Sequence, residues 1–161
     1  MIIIECGDDL DRSLEIEGQS LQKSNLSKLN LHRAMLEKQN LSYSNMVESD
    51  FRGAFLSEAD LSYSNCRGAS FITAFLDGAN LEGVSLIDGK LSSAILKNAQ
   101  LLNADLSGVD VGSADFDGAN LSGAIIKCLR IELASFNSAI YSDLTVWPNN
   151  FNPVEAGAVL M

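Results

Sequence analysis

The groups from which this 161-residue chain could build chemistry are one histidine, three cysteines and twenty-one carboxylates. His32 follows Leu31, and no cysteine or carboxylate stands at ligand or relay spacing from it. That spacing predicts a solvent-facing residue rather than a general base or a metal ligand. Hydroxyls are plentiful, but any Ser-His-Asp relay would have to recruit this one imidazole. Cys6, Cys66 and Cys128 are odd in number and far apart, and none forms a CxxC pair. Neither a zinc site nor a disulfide framework follows, and a reducing cytoplasm is the natural reading. Cys66 is expected as a small core hydrophobe. Cys128 is expected to face outward, with Lys127 and Arg130 beside it, as the one thiol open to reaction. The stretch from Asp110 to Gly118, DVGSADFDG, has the look of a calcium loop but lacks the EF-hand spacing and its terminal glutamate. From this set we expect no catalytic residue, no metal site and no cofactor.

Composition narrows the classes further. Twenty-one acidic against eleven basic residues give a net charge of −10, which argues against a basic face for nucleic acid. No apolar run approaches the eighteen residues of a membrane span. Met1-Ile2-Ile3-Ile4 is followed by Glu5, Asp8 and Asp9, so no basic signal-peptide start is expected. At 47% hydrophobic residues the chain has ample material for one packed domain.

What must position these residues is a period of five. Every fifth residue from Leu21 to Val146 is apolar, 26 positions holding fifteen Leu and four Phe. At this composition chance would produce that about once in 10⁸ to 10⁹ tries. Two residues earlier, 19 of 26 positions are Ala, Ser or Gly. An α-helix turns 100° per residue and would carry such a row around its cylinder. A flat strand would flip an odd period from face to face. The chain must therefore turn a corner in every unit. A narrow coil of very short strands does so, with one large and one small residue inward per side and three residues facing water. LSYSN recurs at 41–45 and 61–65, and DGANL at 77–81 and 117–121, spacings of twenty and forty. RGA at 52–54 and 67–69 is fifteen apart, so the repeats are not unanimous; four sides of five fit best.

The units ADLSY, ANLEG, ADLSG, ADFDG and ANLSG resemble the A-(D/N)-L-x-x motif of pentapeptide-repeat proteins, over roughly residues 19–146. The resemblance is to small single-domain bacterial members, and it implies an all-β fold, a right-handed quadrilateral β-helix. Residues 16–146 would form about 6–7 coils, a rod about 30 Å long at β-spacing. Backbone pairing runs from coil to coil, leaving two ends to cover. Residues 1–15 are the expected N-terminal cap. Residues 147–161 are the expected C-terminal cap, with Trp147 and Phe151 as a plug or an interface. Asn152-Pro153 reads there as the start of a short helix, which Gly157 weakens.

Some members of the family bind DNA gyrase as acidic mimics of DNA and confer fluoroquinolone resistance. Here residues 1–20 carry −5, residues 21–100 sum to zero and residues 101–161 carry −5. A mimic should instead present carboxylates along its length. One outer row, Asp50, Ser70, Lys90, Asp110 and Arg130, even mixes signs. The long loop of many gyrase-protecting members is also missing. The expected function is therefore a non-enzymatic structural or protein-interaction rod, with a gyrase-directed DNA mimic as the alternative.

One outer face departs from the motif. The residue before each inward Leu is normally Asp, Asn or Ser, yet one side carries Met35, Phe55, Phe75 and Ile95. Twenty-residue spacing stacks these into an apolar stripe about 15 Å long that ends at Asp115. Glu37, Lys38, Glu58, Asp77 and Lys97 would rim it. Such a strip fits a contact surface for a protein partner, most simply in a homodimer. It equally fits cover by Ile2, Ile3 and Ile4, or plain stacking of rings on a tolerant sheet.

Overall fold

A computed structural model describes residues 1–7 and 13–161. The five-residue unit explains itself through its N–H groups, each of which needs an acceptor. In the unit that starts at Asp60, the Asp60 N–H donates to Gln39 O in the coil below at 2.9 Å. Those of Leu61 and Tyr63 donate to Asn80 O and Glu82 O in the coil above, at 2.8 and 2.7 Å. The Ser62 N–H donates to the Asp60 side chain at 3.0 Å, and that of Ser64 closes a turn onto Leu61 O at 3.2 Å. All five are satisfied. The motif wants Asp or Asn ahead of the inward Leu because its Oδ1 takes the N–H two residues on, an Asx turn. Asn40, Asp105, Asp115 and Asn120 repeat that bond at 2.9–3.1 Å.

The third residue after each Asx position sits at φ near +57, as in Tyr43, Glu58, Thr73 and Asn98. This is the left-handed corner of a type II turn. Each corner sends the chain onto a new side, and four corners close a coil. Parallel bridges accordingly join residues twenty apart, from Asn25↔Asn45 up to Asn120↔Ile140. The interior is the expected pair of rows. Every fifth residue from Leu21 to Phe136 is buried, and so are Ala34, Ala54, Ala59, Ala69, Ala74 and Ala79. Aromatic rings stack directly between coils, Phe51 on Phe71 at 4.8 Å and Phe116 on Phe136 at 5.1 Å between centroids. Where Ser replaces Ala inside, its hydroxyl donates to a carbonyl, Ser44 to Leu21 O and Ser49 to Leu26 O.

The ends depart from the repeat. β1 (Ile2–Glu5) pairs antiparallel with β2 (Ser13–Ile16). It also lies along the first coil: Gly7 N–H donates to Arg33 O at 3.0 Å, and Met35 N–H donates to Glu5 O at 2.8 Å. Ile4 and Cys6 turn inward and are buried. Residues 8–12 of the segment expected as a cap lie outside the described residues.

Toward the other end the strict register slips. Asp110 bridges Leu129, not Arg130, which itself takes a left-handed corner before a 3₁₀ turn at Ile131–Leu133. That turn absorbs the lost residue, and Asp115↔Ser135 restores the spacing. A second slip pairs Ile125 with Val146, so Val146 faces out rather than in, and Tyr141 is only half-buried. Trp147 follows the bridge and packs on Phe136 and Tyr141 edge to face.

The short helix expected after Asn152 does not form. Its start is present, since Asn152 Oδ1 accepts the Val154 N–H at 3.1 Å and that of Glu155 at 3.4 Å. After one turn Gly157, at φ +88, closes it. Ala158 N–H donates back to Pro153 O and Gly157 N–H to Val154 O, a Schellman closure. The chain then leaves as β4 (Val159–Leu160), parallel to β3 (Ile140–Tyr141).

Candidate interaction surface

The four outward apolar residues stand in one column. Bridges join Met35 to Phe55, Phe55 to Phe75 and Phe75 to Ile95, and the next bridge leads to Asp115. The Phe55 and Phe75 rings are parallel, within 1° and 5.2 Å between centroids. Met35 is 46% exposed and Phe75 37%, while Phe55 and Ile95 are half-buried. Among the described residues, the N-terminal isoleucines do not cover this column: Ile4 is spent on the interior and Ile3 is itself 58% exposed. Their strand meets the column only at its lower end, through the backbone of Glu5 and Met35.

An apolar residue at these positions forfeits the Asx turn. Phe55 offers no acceptor to the N–H of Ser57, where Asp60 serves Ser62. The Ser57 hydroxyl instead donates upward to Asp77 Oδ1 at 2.9 Å. Four consecutive coils give up the same local bond, so the column is not explained by turn stability.

The two borders of the column differ in charge. The turns before it carry His32 and Arg33, then Arg52 and Gly53, then Ile72 and Thr73, with no carboxylate among them. Arg52 is held beside Asp50, donating from Nε and Nη2. The turns after it carry Glu37 and Lys38, then Ser57 and Glu58, then Asp77, then Lys97. Lys38 and Glu58 pair loosely at 3.6 Å. Along the basic border an open groove of about 350 Å³ runs between His32, Arg33, Gly53, Phe55, Thr73 and Phe75. The column and its charged rim of Glu37, Lys38, Glu58, Asp77 and Lys97 were legible in the sequence. The basic border was not, because His32, Arg33 and Arg52 precede the column by two and three places and read as part of the neighbouring side.

The groups first singled out for chemistry are otherwise occupied. Cys66 is buried and its thiol is pushed up to about 12 by desolvation. Cys128 does not face outward: it packs against the core, donates to Leu106 O at 3.4 Å, and burial raises it to about 12 as well. A thiol so shifted stays protonated and is a poor nucleophile. In the DVGSADFDG stretch, Asp110 accepts from Arg130 Nε at 2.7 Å and from the Gly112 N–H at 3.2 Å. Asp117 accepts from Ser135 and from Asn137. Their lone pairs already serve the fold. Trp147 and Phe151 stack at 5.3 Å and sit over Phe136.

Most cations on the shaft are also paired with carboxylates, chiefly from coil to coil. Lys28 meets Glu48, Arg67 meets Asp88, Lys97 meets Asp115 and Arg130 meets Asp110, at 2.5–3.6 Å. Among the described residues no helix is long and apolar enough to cross a membrane.

Comparison with known proteins places this geometry. The family model for pentapeptide repeats matches eight copies over residues 20–53, 49–88 and 90–123. A pentapeptide repeat protein of Nostoc, alr5209, is 31% identical over 70% of this chain and 84% of its own, with a TM-score of 0.42. The Arabidopsis thaliana thylakoid lumen protein AT2G44920 is 24% identical over 84% of this chain and 88% of its own, with a TM-score of 0.46. Full-length QnrB1, a plasmid-mediated fluoroquinolone resistance protein, is 12% identical over 86% of this chain and 90% of its own, with a TM-score of 0.29. No curated protein matches by sequence.

Proposed function

Because the chain belongs to the pentapeptide-repeat family and has its right-handed quadrilateral β-helix, we propose that it is a non-enzymatic rod that binds another protein, in the cytoplasm, through the face of Met35, Phe55, Phe75 and Ile95. The observation that carries this reading is the column itself. It is contiguous, partly exposed and aromatic, it has a charged rim, and it is built at the cost of four Asx turns. Aromatic side chains with a polar border are the usual composition of a protein contact. A non-catalytic role is supported by the Cys66 and Cys128 thiols, whose burial keeps them protonated, and by Asp110 and Asp117, which are taken up by Arg130 and by Ser135 and Asn137.

The competing reading, a DNA mimic directed at gyrase, needs a continuous row of uncompensated carboxylates. The coil-to-coil pairs of Lys28, Lys38, Arg67, Lys97 and Arg130 interrupt such a row. A photoreactive phenylalanine at position 75, compared with one at the exposed Gln100 on another side, tests the contact face in cells. We expect a protein adduct from position 75 and none from position 100. Equal adducts at both, or none at either, would remove the reading. In parallel, gyrase supercoiling with and without a fluoroquinolone should be unaffected by the protein. Inhibition or drug protection would put the alternative first.

A further inference from the structure

We propose that the occupant of this face is a second copy of the chain, docked column to column with the two rods parallel and the two-fold axis running along the stripe. The inference rests on the reading of the face as a protein contact and adds the partner and its orientation.

Charge complementarity selects this arrangement. Facing two such columns allows two simple two-fold arrangements. With the axis along the stripe, each coil meets the same coil of its partner, and the border before the column meets the border after it. Coil by coil, His32 and Arg33 then oppose Glu37 and Lys38, which cancel, and Arg52, with Asp50 behind it, opposes Glu58. Each contact occurs twice. With the axis across the stripe the rods are antiparallel and like borders meet. Glu58 then lies opposite Asp77, Glu37 and Lys38 lie opposite Lys97, and Arg52 lies opposite Ile72 and Thr73 with no carboxylate to receive it. At the two central coils, beside Phe55 and Phe75, the first arrangement pairs Arg52 with Glu58 where the second places Glu58 against Asp77.

Arg52 retains capacity for the contact. Asp50 engages Nε and Nη2, so the Nη1 edge of the guanidinium stays available. Both Arg52 and Glu58 are exposed, with side chains 55% and 64% accessible. Between the borders the parallel arrangement sets Phe55 and Phe75 near the axis against their own copies, and the groove beside them receives the partner's Glu37 side of the rim. Asp115 would also approach its copy at the upper end, where Lys97 at 3.2 Å compensates it. A strip of four coils and two borders buries roughly 300 Å² per copy, below the ~800 Å² of a stable interface. The dimer should be weak and reversible.

Sedimentation of the full chain from about 10 µM to about 1 mM tests this. We expect a concentration-dependent monomer–dimer equilibrium that weakens as salt rises. Phe55→Glu/Phe75→Glu should raise its dissociation constant about 100-fold or more, with circular dichroism confirming intact β-structure. The orientation is read by charge exchange. Arg52→Glu and Glu58→Arg should each weaken the dimer about tenfold, and the double exchange should restore it. A wild type monomeric at about 1 mM overturns the proposal. So does a dimer that the aromatic double variant leaves unchanged, or charge exchanges that add instead of rescuing. Failure here is separable from failure of the wider reading. A monomeric wild type that still gives an adduct to another protein at position 75 loses only the second copy, whereas no adduct of any kind loses the contact face.

Discussion

Residues at equivalent places in the coil carry unequal loads. Asp60 accepts from the Ser62 N–H and from Asn80 Nδ2 in the coil above, at 3.0 and 3.1 Å. Ser70 holds the same place two units on, yet its buried hydroxyl has no partner. Asp60→Ala should therefore cost about 1–2 kcal/mol, the worth of a cap-like side-chain bond. Ser70→Ala should be neutral or should gain up to about 1 kcal/mol, because it removes an unsatisfied group. Urea midpoints measured side by side decide it; equal losses would mean the Asx bond is not what distinguishes the motif. Corner residues offer a second contrast. Thr73 is β-branched and held at φ 56, where an L side chain costs roughly 1–2 kcal/mol. Thr73→Gly should raise stability by about 1 kcal/mol once the unfolded chain's extra freedom is counted. The reverse holds at Gly83, where a Cβ would meet Tyr63 Cδ1 at 2.6 Å. Gly83→Ala should destabilise despite the same corner geometry, a difference visible in the same urea series.

At the scale of the coil, the register slip near Asp110 is pinned by an ion pair. The Arg130 guanidinium beside Asp110 holds its carboxyl below the usual range, against a smaller opposing effect of burial. Arg52 does the same for Asp50. A carboxyl lowered in the folded state contributes stability above its unfolded value of 3.8, and loses it as pH falls through the lower folded value. Acid unfolding should therefore set in below about pH 4, and Arg130→Leu should remove part of that acid dependence. A variant with an unchanged acid limb would detach Asp110 from the slip. The slip also marks where the sequence stops being readable. Period five was legible because each side needs one large inward residue, a rule that holds at every fifth position from Leu21 to Phe136, while the small inward row is broken at Gln39 and Leu129, which are exposed. The residue lost before Leu129 and the one gained before Val146 leave the period almost intact on paper. Ile131 still lands inside, through a 3₁₀ turn that no local residue type announces. Likewise Asn152-Pro153 correctly starts a turn, but whether it extends depends on Gly157 and on the edge of β3 waiting to be paired. The apolar column was legible by contrast with the motif. Its basic border was not, because only the closed coil brings His32 and Arg33 beside Phe55 and Phe75.

For the whole molecule, the decisive property is that each coil pairs its backbone with the coils directly above and below it, a longer reach such as Arg130 to Ser92 being made by a side chain. Stability is then close to a sum of coil terms and neighbour terms, as in other solenoids. Removing residues 61–80 takes out one full coil and leaves Asp60 followed by Leu81, so every remaining residue keeps its side and its stacking partner type. The shortened chain should unfold cooperatively, keep its β-signal, and be shorter by about 4.8 Å in solution scattering. Removing only residues 61–65 makes a sharper comparison. Large and small residues still fall inward, because all four sides obey one rule, but everything after residue 65 rotates by one side. Phe75 then stacks over Asp50, Asn80 takes its place above Phe55, and the Phe51–Phe71 ring stack at 4.8 Å is lost. This chain should also fold, less stably, with the two ends turned relative to each other and the apolar column cut in half. The pair of deletions thus separates what the fold requires from what the face requires. Both should retain β-structure by circular dichroism, and only the twenty-residue deletion should retain a continuous column and measurable self-association. If the five-residue deletion aggregates or unfolds while the longer one folds, the four sides are not interchangeable. The column would then be a structural need of its own side rather than a surface laid on an indifferent rod.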